Sequence, residues 1–102
     1  MIAMSASVRP TDGIQSVRLL EQALRRHYEN IPVRDHQYLV RFTDGPVLVT
    51  DELGALRVDV VVSDERAARH FEAAFRSEVD LRVGRPLDLH WSRPDVVPQP
   101  LR

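Results

Sequence analysis

The spacing of apolar residues changes near residue 36, and this change constrains the fold more than any other feature of the chain. Before it, Ile14, Val17, Leu20, Leu24 and Tyr28 recur at steps of three and four. That is the period of an α-helix with one apolar stripe. Gln15, Arg18, Gln22, Arg25, Arg26 and Glu29 fall on its other side. Asp12 followed by Gln15 has capping-box spacing, and Pro32 disfavours helical geometry at Ile31, so the helix is expected to end near Asn30. From His36 the period is two. His36, Tyr38, Val40 and Phe42 alternate with Gln37, Leu39, Arg41 and Thr43, which predicts a strand. Asp44-Gly45-Pro46 reads as a turn, residues 47–50 as a short strand and residues 51–54 as a second turn. The longest strand follows over residues 56–62.

The helical period then returns. Ser63 is the expected N-cap, with Asp64 and Glu65 in the first turn. Ala67, Phe71, Ala74 and Phe75 form the apolar face of a helix running to about Ser77. Residues 79–83 read as a loop or a short extended piece, and Gly84 and Pro86 as helix breakers. Leu87, Leu89 and Trp91 alternate as a last strand, and residues 6–9 add a short edge strand at the start. The fold class is α+β: an antiparallel sheet of four or five strands with two helices on one face, in the order (β)-α-β-β-β-α-β. One domain covers residues 6–92, with residues 1–5 and 93–102 as flexible tails. Tyr38, Val40, Phe42, Leu56, Val58, Val60, Val62, Leu87, Leu89 and Trp91 share the parity that meets the helices. The opposite parity carries Gln37, Leu39, Arg41, Arg57, Asp59, Val61, Asp88 and His90. One face of an antiparallel sheet is commonly left to solvent, so this is the face on which a ligand or a second copy would sit.

Composition removes several classes of chemistry. The chain has no cysteine, which excludes disulfides, thiolate metal sites and Cys nucleophiles. All 14 basic residues are arginine, which excludes lysine Schiff bases and P-loops. A net charge of −1 argues against bulk attraction to nucleic acid or to an anionic membrane. No stretch approaches the roughly 20 apolar residues of a membrane span. Residues 1–5 lack the charged and apolar regions of a secretory signal, so the expected location is the cytoplasm.

The titratable residues form no catalytic constellation. His27, His36, His70 and His90 include no pair at helical spacing, so no metal or other cofactor is expected. The serines lie in no nucleophile-elbow context, and Asp51-Glu52 and Asp64-Glu65 are explained by turn and helix-dipole chemistry. An enzyme is therefore the least favoured class. What remains is the uncovered face. There Arg41, Arg57, Asp59 and His90 are the candidate ligand-binding residues, with Asp59 expected in a cross-strand ion pair to Arg41 or Arg57. Planar guanidinium groups suit carboxylates, phosphates and other oxygen-bearing ligands.

Several pieces, taken in order, carry a family likeness. They are Ala6-Ser7-Val8 before a helix start at Thr11, Leu20 to Leu24 leading into Arg26-His27-Tyr28, and Ile31-Pro32-Val33. Strands around Gly45, His70-Phe71 on a helix, and Gly84-Arg85-Pro86-Leu87-Asp88-Leu89-His90-Trp91 complete the set. In this order the chain resembles the small bacterial family DUF2218, of unknown function, over about residues 6–91. The resemblance implies an association with siderophore-interacting flavin reductases and hence with iron–siderophore metabolism. The expected function is a small non-enzymatic binding or accessory domain whose partner is such a reductase or a second copy of the chain. The alternative is a structural homodimerisation or protein-interaction module without a small-molecule ligand.

Overall fold

A computed structural model describes residues 1–11, 13, 15–42, 45–84 and 87–101. The elements run β1 (Ile2–Pro10), α1 (Gln15–His27), β2 (Asn30–Arg34), β3 (Gln37–Phe42), β4 (Gly45–Asp51), β5 (Leu56–Val62), α2 (Glu65–Val83) and β6 (Leu87–Ser92). The class is α+β, with two helices on an antiparallel sheet of six strands in the order β2-β3-β4-β5-β1-β6. β2 to β5 form a meander. β1, first in the chain, lies between β5 and β6.

The sixth strand is the main departure from the sequence reading. Residues 30–34, read as the end of a helix and a connection, form the edge strand β2. Pro32 is tolerated there because an edge strand has one side whose N–H groups need no partner in the sheet. Asn30 also ends α1, since its Nδ2 donates to the carbonyls of Arg25 at 3.0 Å and Tyr28 at 3.3 Å. β1 begins at Ile2, so residues 2–5, expected in a flexible tail, lie in the sheet, with Met4 and Ser5 buried. His36 belongs to the β2–β3 turn, with φ +64°, rather than to β3.

α2 runs six residues past Ser77, through the segment read as a loop. Phe71, Phe75, Val79 and Val83 are all buried along one stripe at four-residue steps. Gly84 ends the helix in the left-handed conformation, φ +66°, which glycine adopts without a Cβ penalty. The N-cap is Asp64 rather than Ser63, its carboxylate accepting from the Ala67 N–H at 2.8 Å. The capping box at Asp12, the place of Ile14 on the α1 stripe, the strand and turn readings at Thr43 and Asp44, and the breaker at Pro86 lie outside the described residues.

The core fills the layer between helices and sheet. Val17, Leu20 and Leu24 of α1 and Ala68, Phe71, Phe75 and Val79 of α2 pack on Met4, Ala6, Val8, Tyr38, Val40, Phe42, Val49, Leu56, Val58 and Val60. Tyr28, Phe42, Phe71, Phe75 and Trp91 form a chain of ring contacts with centroids 5.3–6.1 Å apart. Trp91, Val62 and Leu89 are half-buried at its border. At the other end the Arg25 guanidinium lies 4.3 Å from the centre of the Tyr38 ring, and burial pushes the Tyr38 phenol up to about 12. No helix among the described residues is long and apolar enough to cross a membrane.

Candidate functional site

The register of the sheet places side chains in transverse rows on the face away from the helices. One row runs Gln37, Thr50, Arg57, Ser7 and His90 across β3, β4, β5, β1 and β6. The next runs Ile31, Leu39, Leu48, Asp59, Ser5 and Ser92, starting from β2. At the β5–β1–β6 end these rows border a shallow groove of about 370 Å³, lined by Ser5, Ser7, Glu52, Arg57, His90, Trp91 and Ser92.

Of the four residues picked from the sequence, three lie together here. Arg57 and His90 share a row with only Ser7 between them, and Asp59 lies in the next row, two residues from Arg57 on the same strand. Arg57 Nε donates to both oxygens of Asp59, at 3.1 and 3.4 Å. The pair thus lies along β5 rather than across strands. Its two ends differ: the Asp59 side chain is 3% exposed and that of Arg57 43%. A buried carboxylate needs a charged or hydrogen-bonding partner, and Arg57 supplies it through one nitrogen. The two terminal nitrogens of Arg57 have no partner among the described residues, so the planar fork stays available to a ligand in the groove. His90 is exposed on the same row.

The fourth residue is elsewhere. Arg41 lies on β3, opposite Pro46 of β4, and its guanidinium is 3.7 Å from Glu29. Both side chains of that pair are more than three-quarters exposed, so it is a solvated ion pair away from the groove.

Sequence reasoning did not pick out the serines or Glu52. Ser5 and Ser7 had a readable signal, because Met4, Ala6 and Val8 alternate with Ser5, Ser7 and Arg9 as in a two-faced strand. Only the position of β1 between β5 and β6 makes them neighbours of Arg57 and His90. Glu52 does close a turn, its N–H donating to Ala55 O at 2.9 Å, and it also borders the groove. Among the described residues no three side chains of metal-ligating type converge.

No family model matches the chain. No curated protein matches it. Among solved structures, PA4090 from Pseudomonas aeruginosa, determined by NMR, is similar with a TM-score of 0.54 and 14% sequence identity. The match covers 90% of this chain and 96% of that one. At such identity the likeness is one of fold, extending over nearly the whole of both chains.

Proposed function

We propose that the protein is a small non-enzymatic binding domain that holds an oxygen-rich polar ligand in the groove beside Arg57. The observation that carries this reading is the division of labour on β5. Buried Asp59 fixes the Nε edge of Arg57, and the rest of the guanidinium is left toward the groove. An arginine held in this way loses little side-chain freedom on binding. The hydroxyls of Ser5, Ser7 and Ser92 and the imidazole of His90 add donors and acceptors around it. Carboxylates, phosphates and catecholate oxygens share this recognition chemistry. A ferric catecholate joins the class through the resemblance to DUF2218.

The test is a titration of the full chain with inorganic phosphate and, separately, with a ferric catecholate, followed by calorimetry. Phosphate titration is also followed by amide shifts. Saturable binding with shifts confined to Ser7, Arg57 and His90, lost in Arg57→Gln and kept in Arg41→Gln, is the expected result. Absence of heat for both ligands and of shifts with phosphate, or binding that is equal in the two variants, would remove the groove from consideration.

A second reading, self-association, rests on the sheet edges. β2 is guarded by Pro32 and by a register shift between Pro32 and Arg34, a common protection against edge pairing. β6, the opposite edge, carries neither device. Light scattering that gives twice the chain mass, together with calorimetry that shows no heat for either ligand, would favour this reading over the groove.

A further inference from the structure

We propose that a second cavity, at the β4–β5–α2 end of the molecule, binds a small uncharged apolar molecule, and that residues 98–101 are a displaceable strap across it. The cavity holds about 390 Å³ with the strap in place, within the range of about 300–1,000 Å³ typical of small-molecule sites. Its walls are Phe42, Val47 and Val60 of the sheet and Ala67 and Phe71 of α2. Phe42, Val47, Val60 and Phe71 are members of the core, so these walls are preformed. Among the described residues that line it, Ser63 alone carries a polar side chain. None of the described lining residues carries a charged side chain, so a charged ligand would find no ion-pair partner among them, which selects against it.

The strap shows what chemistry the cavity accepts. Arg93, just after β6, grips Glu65 in the first turn of α2 through both terminal nitrogens. The chain then continues to Leu101, whose N–H donates to Pro98 O at 3.0 Å. This turn brings the Leu101 side chain against the cavity, half-buried. Leu101 is the one described lining residue outside the sheet, the α2 helix and the turn between them. Its hold rests on an exposed ion pair and on the side chains of Val97, Pro98 and Leu101, none of them more than partly buried, all weak contacts. An apolar ligand therefore competes with a leucine rather than with the core.

The probe is N-phenyl-1-naphthylamine, an uncharged dye that brightens on leaving water, added to the full chain. Three variants of the experiment decide the matter. Wild type is expected to give a saturable fluorescence rise at one dye per chain. Leu101→Ala should bind severalfold more tightly, because the competing side chain is gone. Ala67→Phe, which fills the cavity from α2, should lose the signal. Amide shifts in the wild-type chain keep the test independent of the stability of Ala67→Phe, and they should centre on Val47, Val60, Ala67 and Leu101. Absence of saturable fluorescence in both wild type and Leu101→Ala overturns the site, as do shifts centred on Ser7 and His90. Weaker binding by Leu101→Ala overturns the strap and makes Leu101 a wall.

Discussion

The two faces of the sheet are built from alternate residues of the same strands, yet they solve opposite problems. On the helix side the row Tyr38, Val49, Val58, Ala6 and Trp91 is apolar throughout. It excludes water by packing against Phe71 and Phe75. On the other side the row one residue away is Gln37, Thr50, Arg57, Ser7 and His90. It is held by polar pairs such as Gln37 Nε2 to Thr50 Oγ1 at 3.0 Å. The contrast is not simply dry against wet. Leu48 and Asp59, neighbours on the uncovered face, are 0% and 2% exposed. The middle of that face excludes water, and its most accessible polar groups lie at the rim, Arg41 on the β3 side and His90 and Ser92 on β6. A buried carboxylate on the uncovered face therefore makes part of that face sensitive to mutation in the way a core is, whereas its rim stays tolerant.

Four substitutions sharpen or break this comparison. The largest effect is expected at Phe75→Ala, because Phe75 is 1% exposed and touches three other rings. Such truncations cost about 3–5 kcal/mol, read as a lower midpoint in urea unfolding. Arg57→Gln should come next, at about 1–3 kcal/mol, since it strands the buried Asp59 without its charged partner. A denaturation midpoint equal to wild type in that variant would mean that Asp59 is satisfied by other groups. Arg41→Gln breaks a pair exposed at both ends and should cost about 0–1 kcal/mol. If Arg41→Gln proved as damaging as Arg57→Gln, the distinction between the middle and the rim of the face would fail.

The smallest effect concerns Glu21 on α1, at the border of the helix layer. Burial, followed by the charge of Asp51, raises its carboxyl above the ordinary 4.5, with Arg25 and His36 opposing. The folded chain keeps this proton at pH values where the unfolded chain has lost it. Stability from this group therefore falls as pH rises through the window just above 4.5. Glu21→Gln removes the titration. Its melting midpoint should exceed that of wild type at neutral pH and approach it in acid. A variant less stable than wild type at neutral pH would show that attraction to Arg25 outweighs burial.

What the sequence determined by itself is what local periodicity can encode. Side chains alternate across a strand and repeat along a helix over a few residues. The two faces of β3 and β5, the α1 stripe and the helix-covered core were therefore all legible. So was the shared face of Arg57, Asp59 and His90. Where the local signal was short it failed. β2 is five residues with a proline, and the last turns of α2 show only Val79 and Val83 beyond the aromatic stripe. Tertiary structure alone decided which strands are neighbours. Nothing within residues 2–10 tells them to enter between β5 and β6, because strand order depends on contacts between segments far apart in the chain. That insertion sets Ser5 and Ser7 beside Arg57 and His90, and the order of β3, β4 and β5 leaves Arg41 two strands away with Glu29. Burial of Asp59 is likewise a property of the assembled face. The amino-acid pattern gives the side of the sheet on which a charge lies, whereas its neighbours in space determine how much water reaches it.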